Sequence, residues 1–104
     1  MVEKEPIIKV LFFKPKEAYF GLSEEKRKEF AVKATKDVTE VGGQWIARCD
    51  CYWANEEWVW FGVMEFPDIE AVQKHAKFIE ELEQFRYVES KSYLGTRTEW
   101  PEWL

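Results

Sequence analysis

A chain of 104 residues with a formal net charge of -5 has the length of one domain and lacks the basic balance of a general nucleic-acid binder. No stretch approaches the ~18 apolar residues of a membrane span, and the charged opening residues 1–6 do not read as a signal peptide, so a cytoplasmic protein is expected. Six Trp, eight Phe and four Tyr exceed what a small two-layer core absorbs, which points some of them to a pocket or a subunit interface.

Residues 7–14 form a nearly continuous apolar run, predicted as a central strand buried on both faces and ended by Pro15. A loop carrying Tyr19, Phe20 and Gly21 follows. Ser23 is the predicted N-cap of a first helix, with Glu24 and Glu25 favourably placed in its first turn. Phe30, Ala34, Val38 and Val41 make one helical stripe, widened by Ala31, and Gly42-Gly43 supplies the left-handed stop.

Residues 44–53 are predicted as a second strand. Strict alternation puts Trp45, Ala47, Cys49, Cys51 and Trp53 on one face and Ile46, Arg48, Asp50 and Tyr52 on the other. The two cysteines then share a face and cannot easily bridge each other, so both are expected as buried structural thiols. A short turn at 54–56 leads to a third strand over 57–66, with Trp58, Trp60, Gly62, Met64 and Phe66 on one side. Asp68 caps a second helix running to about Tyr87. Its predicted core stripe is Ile69, Val72, Ala76 and Ile79, widened by His75 and Leu82. Residues 92–100 are predicted as a fourth strand, and the tail through Trp103 and Leu104 is expected to pack on its own subunit or a partner.

The order β-α-β-β-α-β over residues 1–104 predicts a single α+β domain of the ferredoxin-like type. Two helices would cover one face of a four-stranded antiparallel sheet. The second and third strands are apolar on both sides, which a sheet with one solvated face is not. A second subunit packed sheet to sheet covers the remaining face economically.

On these elements the chain resembles the dimeric α+β barrel superfamily. The resemblance rests on element order, on aromatic central strands, and on the junction Phe66-Pro67-Asp68-Ile69-Glu70-Ala71-Val72 leading to His75. That superfamily includes antibiotic-biosynthesis monooxygenase-like, muconolactone isomerase-like, stress-responsive barrel and haem-degrading proteins. The resemblance implies a homodimer with a pocket in each subunit between sheet and helices. It implies no particular reaction. Haem-degrading members use a histidine on the second helix, which His75 would match, and an asparagine on an early strand. The first strand of this chain has no Asn.

His75, on the apolar arc of the second helix, is the candidate acid, base or ligand, against the plainer reading of a hydrogen-bonded core histidine. Asp50 and Tyr52 are the other candidate catalytic groups. Arg48, Tyr19, Arg97 and Trp60 are candidate substrate-binding residues. The plainer readings are an Arg48–Asp50 pair that fixes the sheet, a loop anchored by Tyr19, a solvated Arg97, and Trp60 in the core or dimer interface. Aromatics on a sheet face can stack bases, but no accompanying basic motif is present. No Gly-rich phosphate loop, Ser-His-Asp set or metal-ligand spacing appears, so no cofactor is expected, with haem through His75 as the alternative. The leading reading is a dimeric small-molecule-binding protein, of cofactor-independent oxygenase or isomerase type if it is an enzyme. The other reading is a non-catalytic binding or structural dimer.

Overall fold

A computed structural model describes residues 5–104, so most of the opening segment read for a signal lies outside the described residues. The first apolar run forms β1, Ile7–Pro15. A short helical turn, α1 (Glu17–Phe20), carries the chain into α2, Glu24–Glu40. Ser23 caps α2, its Oγ accepting from the Lys26 backbone N–H at 3.2 Å. The helix stops at Gly42, whose φ of 84° only glycine adopts freely. Next come β2 (Gln44–Asp50), α3 (Tyr52–Asn55) and β3 (Trp60–Phe66). The Asp68 carboxylate then accepts from the Ala71 N–H at 2.8 Å and starts α4, Ile69–Glu81. A further turn, α5 (Gln84–Tyr87), leads into β4, Val88–Gly95.

Four predicted boundaries move, each for a local reason. The second strand ends at Asp50, residues to 53 do not extend it, and the third strand begins at Trp60, after residues 57–59. Asn55 closes the connection instead. Its Oδ1 accepts from the N–H groups of Glu57 and Trp58 at 2.8 and 2.6 Å, and its Nδ2 donates to the Cys51 carbonyl at 2.6 Å. The second helix breaks at Glu83, a non-glycine residue with φ 56°. The fourth strand therefore begins at Val88, and residues 96–100 form no strand. Trp100, Trp103 and Leu104 remain largely exposed, so packing on the chain itself is not what the tail does.

The sheet is antiparallel throughout, in the order β2-β3-β1-β4. Its helix-covered face carries Leu11 and Phe13 of β1 opposite Gly62 and Trp60 of β3. On β2 the pairing runs Trp45 to Met64, then Ala47 to Val63, with a bulge between. The extra residue, Ile46, resets the alternation. Trp45, Arg48 and Asp50 all lie on the helix side, while Ala47 and Cys49 lie on the other. This corrects the expectation that Trp45 and Arg48 take opposite faces.

The core is Leu11, Val38, Met64, Phe66, Ala71 and Val72. The inward stripe of α4 is Ala71, Val72, His75 and Ile79, whereas Ile69 and Ala76 are exposed. At Gly62 the backbone meets the Trp45 ring so closely that an added Cβ would lie 2.5 Å from Cζ3. Trp45 is held in turn by its Nε1, which donates to the Thr35 carbonyl at 3.2 Å. Gly62→Ala is expected to displace that ring and lower stability by about 1–3 kcal/mol, read from urea unfolding.

The opposite sheet face is half-buried and apolar, with Val10, Phe12, Phe61, Val63, Ala47 and Cys49. Polar groups bound it at both ends. At one, Glu65 accepts from Gln44 Nε2 at 3.0 Å and from Arg97 Nε at 3.1 Å. At the other, Lys14 pairs with Glu89 at 3.6 Å. Cys51 alone is a buried thiol, lying 3.4 Å from the Trp58 carbonyl, and Cys49 is only half-buried.

Candidate functional site

Between the helix-covered face of the sheet and helices α2 and α4 lies a cavity of about 420 Å³. Small residues make the room. Gly62 on the sheet and Ala31 and Ala34 on α2 line the space with little side chain. Aromatic residues enclose it: Phe13, Trp45 and Trp60 from the sheet, Phe30 from α2, and Tyr19 from α1. An apolar chamber with a few polar groups is the usual form of a small-molecule site.

His75 lines this chamber from α4, one turn after Val72, and is only 2% exposed. Its ring lies 5.2 Å from that of Phe66. Its Nδ1 is buried and has no hydrogen-bond partner among the described residues. An unmade hydrogen bond at a buried polar atom is costly and calls for an explanation. Burial pushes the His75 pKa down to about 4, and the nearby positive charge of Lys9 pushes the same way. The imidazole is therefore neutral at neutral pH, able to donate at one nitrogen and accept at the other.

Lys9 is absent from the candidates that the sequence offers. It lies on the helix side of β1, opposite Met64, and is itself buried, which lowers its pKa. Its charge acts on His75, and it does not line the cavity. Its place in an apolar run is a signal for burial, but nothing in that run announces a neighbouring histidine.

Arg48 and Asp50 line the cavity, and both are exposed, so they mark its mouth. No ion pair joins them among the described residues. The Arg48 guanidinium lies over the Trp45 ring instead, 4.6 Å from its centroid. Tyr19 and Trp60 also line the chamber. The structure thus brings His75, Arg48, Asp50, Tyr19 and Trp60 to one place. Tyr52 lies outside, exposed on α3, because the strand ends before it. Arg97 lies outside too, engaged with Glu65 on the opposite sheet face. Gln84, absent from the sequence candidates, is buried and lines the cavity. Asp37 on α2 is a second buried orphan, its Oδ2 unpartnered; burial raises its pKa, and the nearby Glu40 adds to the effect. Asp37 is not part of the cavity lining. The described residues contain no His/Cys/Asp/Glu cluster suited to a metal ion, and no helix among them is long and apolar enough to cross a membrane.

The sequence matches no protein-family model and no curated protein. The structure resembles several solved proteins. A mutant chlorite dismutase from Candidatus Nitrospira defluvii superposes with a TM-score of 0.74 at 10% identity, over 96% of this chain and 43% of that one. A protein of unknown function from Rhodopseudomonas palustris gives 0.68 at 14% identity, covering 93% and 85%. A dabb family protein with a ferredoxin-like fold from Mesorhizobium loti gives 0.63 at 17% identity, covering 90% and 98%. The chain spans less than half the length of the chlorite dismutase it matches. The likeness is one of fold: a ferredoxin-like arrangement of a four-stranded antiparallel sheet with helices.

Proposed function

We propose that the chain is a one-domain, cytoplasmic, homodimeric protein that binds a small apolar or aromatic compound in the cavity between sheet and helices. The observation that carries this reading is the chamber itself, about 420 Å³ lined mainly by apolar and aromatic side chains with His75, Arg48 and Asp50 among them. A ligand in the chamber would meet the part of His75 that lines it, and not the enclosed Nδ1. If a reaction follows, it is of cofactor-independent oxygenase or isomerase type, with neutral His75 taking a proton from the bound compound and Arg48 and Asp50 meeting polar groups at the mouth. Tyr52 and Arg97 lie outside the chamber and take no share of the work.

The dimer reading rests on the apolar sheet face with its polar ends, the pattern of an interface core and rim. Native mass spectrometry beside a denatured run tests both parts. The expected species is a dimer carrying a removable small molecule. Val63→Glu, which sets like charges near each other across a two-fold interface, is expected to give monomer. A monomer from the unchanged protein would sink the sheet-to-sheet reading. A bare dimer with no measurable affinity for apolar compounds would leave the non-catalytic assembly protein.

Haem is the second ligand to test. A neutral buried imidazole suits an axial position. The rest of the lining does not fit as well: a porphyrin's two carboxylates would meet one lining cation, Arg48, with the Asp50 carboxylate beside it. Added hemin is expected to give no Soret band that depends on His75. A band abolished by His75→Ala would put haem in place of the apolar ligand.

A further inference from the structure

We infer that Gln84 is a second ligand-binding group facing the same chamber as His75, and that the ligand is an uncharged ring compound bearing hydroxyl or carbonyl oxygens at two positions. This deepens the small-molecule reading above and rests on it.

Gln84 is 6% exposed, yet it lines the cavity. Its carboxamide makes no hydrogen bond among the described residues and is not one of the fully enclosed polar groups there, so the amide keeps accessible surface. An amide that keeps accessible surface beside a cavity is free to donate to and accept from whatever enters it. The backbone goes out of its way to place it. Helix α4 ends with Leu82, and Glu83 then takes the left-handed conformation, φ 56° and ψ 36°, before α5 begins at Gln84. A non-glycine residue in that region carries strain. Simple continuation of α4 would need no such residue. Two polar side chains, each with little exposure as a residue, thus line one space from the helical segments on either side of a left-handed residue.

The chemistry of the pair selects the ligand. A carboxamide and a neutral imidazole each donate and accept, and neither carries charge. They suit hydroxyl and carbonyl oxygens. A carboxylate or phosphate at that depth would lose its water, while the one lining cation, Arg48, sits exposed at the mouth and Lys9 does not reach the lining. The aromatic walls favour a flat ring body.

The test uses three probes of one ring system: naphthalene, naphthalene-1,5-diol and 1-naphthoate, with dissociation constants from ligand-observed NMR on the full chain. The unchanged protein is expected to bind the diol about tenfold tighter than naphthalene, and naphthoate no tighter than naphthalene. Gln84→Leu should bring the diol to within about twofold of naphthalene while naphthalene keeps its affinity. Glu83→Val, whose branched side chain resists a left-handed φ, should weaken the diol with Gln84 still present, and Glu83→Gly should restore it. Thermal unfolding of each variant separates misfolding from lost recognition. A diol preference that survives Gln84→Leu, or a naphthoate that binds best, overturns the inference and leaves the cavity reading standing. If none of the three binds the unchanged protein, the cavity reading falls, and this inference falls with it.

Discussion

Truncation of Phe66 to alanine is expected to lower the free energy of unfolding by about 3–5 kcal/mol. No fully buried side chain among the described residues is larger, and none should cost more to truncate. Phe66 closes β3 and packs in the main core and against the His75 ring. It also touches the turn that ends α2, where a Cβ on Gly43 would lie 2.9 Å from the Phe66 ring. That turn is fixed by the Gly43 N–H donating to the Val38 carbonyl at 2.9 Å, so the backbone cannot easily close over the space left behind. Phe66→Leu should lose much less, because most of the volume stays filled. Urea unfolding at one protein concentration checks both, since a dimer's stability depends on concentration. An alanine variant that loses under ~1 kcal/mol would mean that the region collapses around the gap, contrary to this packing.

The second large effect is acid destabilisation through His75. In the unfolded chain this histidine takes up its proton near its ordinary 6.5, whereas in the folded chain it resists until about 4. Between those values the unfolded state holds more protons, so stability falls as pH falls. Above the window the contribution is fully present, and below it the loss levels off. The full loss is about 3 kcal/mol, at roughly 1.36 kcal/mol for each pH unit of difference. Asp37 acts in the opposite direction. Its raised pKa means that protonation in acid relieves a buried carboxylate and stabilises the fold. His75→Gln, measured alongside the unchanged protein from acid to neutral pH, isolates the histidine's contribution by subtraction. Equal pH slopes in the two proteins would show that His75 titrates normally in the folded state. Lys9→Met should move the His75 titration upward, because the Lys9 ammonium adds to the depression that burial causes. NMR of the imidazole reads that shift directly.

The architecture was legible because it depends on patterns that survive averaging over many residues. The caps at Ser23 and Asp68, the Gly42 stop and the aromatic strands each act locally and in agreement with the fold. The cavity was half legible. His75 announced itself as a polar residue in an apolar arc. The rest depended on single-residue departures from regular geometry. Alternation cannot foresee the bulge after Trp45, so the question of which face of β2 turns inward had no answer at that level: residues from both predicted faces do. Asn55 offered a readable signal, since its side chain commonly closes such turns, and it would have excluded Tyr52 from the strand. Gln84 was hidden by the helical pattern that continues through it, which the left-handed Glu83 breaks just before it.

Ile46 makes β2 tolerant of a one-residue shortening at its bulge. In a regular strand every deletion turns the residues beyond it over, so that what faced inward faces out. Between Trp45 and Ala47 the rule is suspended, because Ile46 has no place of its own in the pairing with β3. Without it, Ala47 would follow Trp45 in ordinary alternation, and Arg48 and Asp50 would still point to the mouth of the chamber. Removal of Cys49 with the bulge kept would instead send Asp50 to the wrong side, trading charge for apolar surface at the entrance. Evolution in this strand therefore has a spare beat: the chain can lose or regain it while both working faces keep their chemistry, and only the local twist of the sheet records the change.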